Sequence, residues 1–149
     1  MVNEGINTNL LIIGPGFDSD LGKELKGIAN KNVHFLGAKK NIVDYILCSD
    51  IFCLSSNYEG MPITLIESLL CGVPVVSTPV CGALDALSSG KNGFIAEDFS
   101  DMSYYKSLKL AYTNHIKLKG FTKEKIKSSS YTIHHCMSQY IDFFHKIIK

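Results

Sequence analysis

Five short apolar runs, separated by stretches long enough for one helix each, constrain the fold of this sequence more than any other feature. The runs lie at Leu10–Ile13, Val33–Leu36, Asp50–Leu54, Val73–Ser77 and Gly93–Ala96. Their residues are continuously apolar rather than alternating, which is typical of parallel strands covered on both faces. The order predicts a Rossmann-like α/β fold, an open parallel sheet of about five strands flanked by helices.

The last part of the chain, residues 101–149, predicts a C-terminal helical tail. Apolar positions recur at helical spacing from Met102 to Lys119 and again around Tyr131 to Ile147. Because 149 residues suit one ordinary domain, we expect a single domain over residues 1–149.

Charge is distributed unevenly between the two parts of the chain. Residues 1–100 carry six Lys against eleven acids, a balance of −5, whereas residues 101–149 carry nine Lys against three acids, a balance of +6. The basic tail is either a solvated helical face or a surface for peripheral contact with an anionic membrane. Aromatic residues do not interleave with the Lys residues as they do in nucleic-acid motifs, so we expect no nucleic-acid partner.

Cysteine usage predicts a cytoplasmic protein. Five cysteines form an odd set without the spacing of a disulfide framework. The opening residues have neither the basic region nor the apolar region of a secretory signal. No apolar run approaches the roughly 18 residues that a membrane span requires. We therefore expect a cytoplasmic location, with contact at the inner face of the membrane left open.

The turn after the first apolar run is a weak candidate for ligand binding. Gly14 and Gly16 have no side chains, so a ligand could approach the backbone closely at this strand end. The dinucleotide fingerprint requires a third glycine where this chain has Ser19, which argues against a nicotinamide-binding domain. The turn is either part of a ligand site or a simple connection from strand to helix.

A stronger candidate follows the third run. Pro62 suits the first turn of a helix and Gly72 suits the position just past its end, so we predict a helix from about Pro62 to Cys71. The free N–H groups at the start of such a helix attract phosphate.

Glu67 occupies an unusual place on that predicted helix. At about 100° per residue it falls in an apolar arc beside Ile63 and Leu70, away from the polar residues Thr64 and Ser68. A carboxylate among apolar side chains is costly unless it is paired or bound. Glu67 is therefore either a buried acid satisfied by backbone donors or an acceptor for ligand hydroxyls.

Glu59 and Glu67, eight residues apart, complete a pattern that resembles the E-x7-E motif of retaining GT-B glycosyltransferases of family four. Other segments of the family agree in order and spacing over roughly residues 9–100, namely Val33–Gly37, Ser49–Ser56, Cys71–Thr78 and Gly90–Phe94. The resemblance implies one half of a GT-B fold, the C-terminal domain that binds a nucleotide sugar. It also implies that the chain begins one strand late and lacks the N-terminal acceptor-binding domain.

The same resemblance implies a role for each motif position. Glu59 would contact the donor sugar hydroxyls as the catalytic residue, and Glu67 would accept hydrogen bonds from the ribose hydroxyls. The remaining substrate-binding positions would be Gly60, Met61, Pro62 and Ile63 at the sugar and diphosphate, and Gly37 and Ala38 at the base, with Gly14 and Gly16 in the first turn. The implied transfer needs no metal or other cofactor, because helix dipoles and cations offset the phosphate charge.

The implied activity is transfer of a hexosyl group, with retention, from a nucleotide diphosphate sugar, UDP-sugar, to a saccharide or lipid-linked saccharide acceptor. The alternative is a non-catalytic fragment or split-chain module that needs the missing N-terminal domain. The chain contains no Arg, so the family's phosphate-gripping Arg is absent. The unpaired edge of Leu10–Ile13 predicts pairing with that missing domain or formation of a homodimer.

Overall fold

Parallel strands and helices alternate along the chain, which confirms the predicted α/β class. The computed structural model describes residues 6–126 and 133–148. The elements are β1 (Leu10–Ile13), α1 (Asp20–Ile28), β2 (Val33–Gly37), α2 (Ile42–Leu47), β3 (Phe52–Leu54), α3 (Ile63–Leu70), β4 (Val75–Ser77), α4 (Cys81–Ala86), β5 (Gly93–Ile95), α5 (Asp101–Ile126) and α6 (Ile133–Ile147). Each predicted strand is present.

The strands form two parallel sheets rather than the single sheet predicted. β1 pairs with β2, and β4 lies between β3 and β5. Every pairing within each of the two sheets is parallel.

The described chain divides into two compact units, the first ending at Ile42 and the second beginning at Val43. A single domain over residues 1–149 stays a prediction. In the first unit, the Phe17 ring meets the Phe35 ring edge-on, with centroids 5.1 Å apart. This contact joins the turn after β1 to β2.

The core of the second unit lies on both faces of β4. Val75 belongs to a buried cluster with Leu65 and Leu69 of α3, together with side chains from β3 and α4. Val76, on the other face, packs with Ala111 and other buried or half-buried residues of α5 and neighbouring elements. Successive strand residues point to opposite faces, so helices cover both sides of this sheet, as the continuous apolar runs indicate.

The helical tail differs in detail from its prediction. α5 continues through Gly120 to Ile126, well beyond the predicted end at Lys119. The start of the last predicted helix, Tyr131, lies outside the described residues, and α6 begins at Ile133. The apolar stripe of α6 is exposed, and it includes Met137, Tyr140, Ile141, Phe144 and Ile147. Among the helices described, none combines the length and apolar character that crossing a bilayer would demand.

Candidate functional site

Helix α3 has the limits that its flanking Pro and Gly predict. Pro62 is the N-terminal cap with φ −71° and ψ 108°, and Cys71 is the C-terminal cap. The Pro62 carbonyl accepts hydrogen bonds from the amides of Leu65, at 3.1 Å, and Ile66, at 3.4 Å. Gly72 follows with φ 76°, a conformation that favours glycine. Pro62 is therefore the cap rather than the first helical residue.

Two backbone donors at the start of α3 are free. The amides of Ile63 and Thr64 donate no hydrogen bond within residues 6–126 and 133–148. A Ser, Thr, Asp or Asn cap would satisfy such amides with its side chain, but Pro62 has no side-chain acceptor. Free amides at the positive end of a helix dipole favour an anion, and phosphate above all.

Glu59 lies in the loop that leads from β3 to α3, and it is half-buried. Its Oε1 accepts a hydrogen bond from the Ser56 hydroxyl over 3.0 Å. The Ser56 carbonyl in turn accepts a hydrogen bond from the Thr78 hydroxyl over 2.5 Å. Sequence reasoning missed Ser56 and Thr78; the available signal was a hydroxyl residue just after each of two neighbouring strands.

The buried face of α3 is not the one that the helical wheel predicts. Leu65 and Leu69 bring the helix onto the sheet, and Ser68, between them, is completely buried. The Ser68 hydroxyl donates to the Thr64 carbonyl over 2.7 Å, so its burial leaves that donor satisfied. The prediction that Ser68 forms a polar face of the helix with Thr64 was therefore wrong, because Thr64 is exposed and Ser68 is buried.

Glu67 consequently lies at the margin of the helix rather than in a buried apolar arc. It is half-buried, and its neighbours on the wheel, Ile63 and Leu70, are 72% and 41% exposed. Burial raises the pKa of the Cys71 thiol, and the nearby Glu67 charge raises it further. Within the described ranges the Glu67 carboxylate accepts no hydrogen bond and forms no ion pair. It is thus available to hydroxyl groups of a ligand.

The first unit brings together the glycine positions predicted at strand ends. The Gly14 amide donates to the Gly37 carbonyl over 3.1 Å, which joins the turn after β1 to the end of β2. Gly16 and Gly37 have φ values of 94° and 70°, which only glycine adopts readily. Ala38 follows Gly37 and is exposed. These four positions lie at the carboxyl end of the two-stranded sheet, where Gly16 and Ala38 are exposed and Gly14 and Gly37 are half-buried.

Ser19, which stands where the dinucleotide fingerprint has glycine, has a structural role. Its hydroxyl oxygen accepts from the Gly22 amide over 3.1 Å and caps α1. The same hydroxyl donates to the Gly16 carbonyl over 2.6 Å. Gly22 was not predicted, yet a methyl group there would lie 2.5 Å from Phe17 Cα. The Ser19 cap therefore stabilises this turn, and the absence of a side chain at Gly22 allows α1 to approach Phe17.

The chain is similar to bacterial proteins of polysaccharide biosynthesis and to glycosyltransferases. The chain is 34% identical over 96 residues to the Vi polysaccharide biosynthesis protein VipC/TviE of Salmonella typhi. That match covers 61% of this chain and 16% of the Salmonella protein. The chain thus spans a small part of this relative.

Two solved structures share the fold. Anabaena Alr3699/HepE in complex with UDP superposes with a TM-score of 0.75 at 20% identity, covering 93% of this chain and 41% of that chain. The complex of the same Anabaena protein with UDP-glucose gives a TM-score of 0.63 at 20% identity, covering 80% and 36%. At this identity, the likeness establishes the fold alone.

The family model described as "Glycosyl transferases group 1" matches residues 2–128, which is most of the chain. The match includes both glutamates of the E-x7-E pattern and the strands on either side of α3. The chain therefore belongs to the glycosyl transferases group 1 family.

Proposed function

We propose that this chain is the donor-binding part of a glycosyltransferase that transfers a hexosyl group, with retention, from a UDP-sugar to a saccharide or lipid-linked saccharide acceptor. One observation carries the proposal: the start of α3 offers the free amides of Ile63 and Thr64, with Glu59 before them and Glu67 behind them. The Anabaena protein of the same fold, crystallised once with UDP and once with UDP-glucose, supports a uridine nucleotide as the ligand.

The proposed chemistry follows from where negative charge develops. When the bond from the sugar C1 to the diphosphate oxygen breaks, charge accumulates on the leaving diphosphate. The amides of Ile63 and Thr64 and the α3 dipole stabilise that charge, and preorganised donors of this kind act without reorganising during the reaction. We therefore propose that the sugar transfer does not depend on a metal ion. Added EDTA should leave the rate of sugar transfer unchanged.

Each acidic residue has a separate role in this proposal. Glu59 binds the sugar hydroxyls through the carboxylate oxygen that Ser56 does not hold. Glu67, with its carboxylate open to ligand hydroxyls, accepts hydrogen bonds from the ribose. The turn around Gly60, Met61 and Pro62 brings the backbone to the sugar and diphosphate.

We propose that the backbone at the carboxyl ends of β1 and β2 borders the uracil base. Gly14, Gly16, Gly37 and Ala38 present no bulky side chain there. Because Gly37 has φ 70°, its replacement by Val should strain the turn and weaken UMP binding. An Ala38→Gly variant, which keeps the edge open, should bind UMP normally.

Titration calorimetry of the full chain tests the donor-binding proposal. We expect UDP-glucose to bind with a dissociation constant in the millimolar range. The double variant Glu59→Gln/Glu67→Gln should lose that binding, whereas the exposed Leu84→Ala variant should keep it. If neither UDP nor UDP-glucose binds the unmodified chain at millimolar concentration, the proposal fails.

A second proposal, favoured by the open edge of β1, is that the chain pairs with another polypeptide segment. Leu10 and Gly14 donate their amides toward β2 and its end. Alternation then turns the Leu11 and Ile13 amides to the opposite side, where no described strand pairs with them. That edge would receive a strand from another polypeptide segment or from a second copy.

Light scattering during size-exclusion chromatography tests self-pairing through this edge. The Leu11→Pro variant removes a donor from the open side and leaves the ladder with β2 intact. A dimer of the unmodified chain that dissociates in Leu11→Pro would support the proposal. A dimer that persists in this variant would contradict pairing through this edge, and a monomer would leave a different polypeptide segment as the partner.

We propose that the exposed apolar side of α6 packs against another polypeptide segment as well. Sedimentation with vesicles that contain anionic lipid distinguishes this packing from membrane contact, because salt-sensitive pelleting would indicate that the basic tail binds a membrane surface.

The cysteines Cys48, Cys53, Cys71 and Cys81 are all free. Free thiols support the proposed cytoplasmic location.

A further inference from the structure

We propose that the connection from β4 to α4 positions the donor turn, defined here as residues 59–63, by holding it at two points. Thr78, just after β4, fixes the segment that leads into the turn. Gly82, in the first turn of α4, seats the turn itself. The importance of these two contacts for donor binding rests on the proposed function, whereas the contacts themselves are independent of it.

Thr78 is buried and makes two hydrogen bonds to the β3 side of the sheet. Its amide donates to the Leu54 carbonyl over 3.0 Å, which extends the pairing of β4 with β3. Its hydroxyl donates to the Ser56 carbonyl over 2.5 Å. Because the Ser56 hydroxyl then reaches Glu59 Oε1 at 3.0 Å, a chain of contacts joins Thr78 to the Glu59 carboxylate.

Gly82 lies directly against the backbone of the donor turn. A methyl group on its Cα would lie 2.6 Å from Pro62 Cδ and 2.8 Å from Met61 Cα, and closer still to the Gly60 carbonyl oxygen. These are backbone and ring atoms, which cannot move aside as the end of a flexible side chain can. The absence of a side chain at Gly82 therefore allows α4 to support the turn.

The two contacts act on opposite ends of one short segment. Thr78 holds the approach at Ser56, and Gly82 supports the turn from Gly60 to Pro62. Between them they set the direction of the Glu59 carboxylate and of the free amide at Ile63. Thr78 and Gly82 are positioning residues, since they act on the ligand only through the turn.

The first test uses the chain without nucleotide, so it does not depend on the proposed function. In a two-dimensional ¹H–¹⁵N spectrum, Gly82→Ala should shift the amide signals of Gly60, Met61 and Ile63. Leu84→Ala, an exposed change on the same helix, should leave those three signals in place. If Gly82→Ala moves none of them, α4 does not set the position of the turn.

The second test measures binding and includes a conservative rescue. Thr78→Val removes the hydroxyl and should weaken UDP-glucose binding about tenfold, while UMP, which lacks the sugar and second phosphate, binds normally. Thr78→Ser restores the donor and should restore the affinity for UDP-glucose. Equal losses for UMP and UDP-glucose, or failure of Thr78→Ser to rescue, would overturn the positioning role.

The two tests also separate the positioning role from the proposed function. If the unmodified chain binds neither nucleotide, the donor-binding proposal fails, and the amide shifts in Gly82→Ala still decide whether the contact sets the turn. If Gly82→Ala does not fold, the amide signals of Gly60 and Met61 in Thr78→Val test the second contact without nucleotide, and signals that stay in place would overturn the positioning role.

Discussion

The Ser56 hydroxyl donates a hydrogen bond to Oε1 of Glu59 over 3.0 Å, and it leaves Oε2 as the free acceptor of that carboxylate. A half-buried carboxylate held by one oxygen loses less side-chain freedom when a ligand binds than one that is fully free. Preorganisation of this kind increases affinity by lowering the entropic cost of binding. It also links the direction of Glu59 to the end of β3.

Replacement of Ser56 by Ala should therefore weaken UDP-glucose binding about five- to tenfold, as expected for loss of one hydrogen bond to a charged group near the surface. UMP should bind unchanged, because it has no sugar to meet Glu59. Ser56→Thr keeps the hydroxyl and should bind UDP-glucose normally. Titration calorimetry with both nucleotides checks the prediction, and an equal loss for UMP would contradict it.

Glu67 should affect a different part of the nucleotide. If its carboxylate accepts from the ribose, Glu67→Gln should weaken UMP and UDP-glucose by a similar factor, about tenfold for a charged acceptor. Glu59→Gln should weaken UDP-glucose alone. The two variants therefore distinguish the roles of the two acids.

A double-substitution cycle makes the Glu67 prediction specific. UMP that lacks both ribose hydroxyls should bind the unmodified chain and Glu67→Gln with the same affinity. A further loss of affinity for this analogue in Glu67→Gln would show that Glu67 acts elsewhere.

Local signals in the sequence account for the parts of the fold that could be predicted. Continuous apolar runs locate the five strands, and β4 is buried on both faces as such runs indicate, whereas Leu10 and Leu11 of β1 are exposed. Pro62 and Gly72 locate α3 because Pro favours the start of a helix and Gly readily adopts the positive φ that ends one. Glu59 and Glu67 were predicted from their spacing of eight residues. Glu59 lies in the turn before α3 and Glu67 lies on α3, so one turn and one helix fix that spacing.

The remaining features depend on contacts between distant residues. Ser68 is buried because packing of Leu65 and Leu69 orients α3, and the wheel alone does not fix that orientation. Thr78 reaches Ser56 across 22 positions of sequence. The continuation of α5 through Gly120 likewise overrides a local preference, since glycine lowers helix stability by only about 1 kcal/mol.

The ion pair between Asp50 and Lys119 should stabilise the second unit modestly and lose its effect in acid. The two charged groups lie 2.9 Å apart, and the Asp50 side chain is 74% exposed. The hydrogen bond and charge of Lys119 hold the pKa of the Asp50 carboxyl below its usual value. The stabilisation is therefore present above the unfolded pKa of about 3.9 and is lost as the pH falls through the lower folded value.

Asp50→Asn should consequently lower the free energy of unfolding at pH 7 by less than about 1 kcal/mol, since the Asp50 carboxylate is mostly in water. Urea unfolding at pH 7 and pH 3 measures the difference, which should shrink at the lower pH. Asp20→Asn, which removes an exposed pair at 3.5 Å to Lys23, is the matched control and should change little. A loss for Asp50→Asn that is the same at both pH values would contradict the electrostatic explanation.

Tyr104 joins α5 to the sheet through a polar contact whose strength should depend on alkaline pH. Its hydroxyl donates to the Val76 carbonyl of β4 over 3.2 Å. Burial raises the pKa of the Tyr104 phenol well above its usual range, and the neighbouring Cys53 raises it further. In the unfolded chain the phenol ionises near pH 10, whereas in the folded chain it stays protonated. Above that pH the unfolded state binds fewer protons, so stability falls as the pH rises.

Tyr104→Phe should therefore unfold about 1 kcal/mol more easily at pH 7, because it leaves the Val76 carbonyl without this donor. Urea unfolding should show that the difference in free energy of unfolding between Tyr104→Phe and the unmodified chain shrinks above pH 10. At such pH, ionisation of the Tyr104 phenol stabilises the unfolded state of the unmodified chain, whereas Tyr104→Phe has no phenol to ionise. The exposed Tyr58→Phe variant is the control and should follow the unmodified chain at every pH. A difference in free energy of unfolding between Tyr104→Phe and the unmodified chain that stays constant from pH 7 to above pH 10 would contradict the prediction. It would mean that the Tyr104 phenol titrates alike in the folded and unfolded states, although its burial against β4 should prevent this.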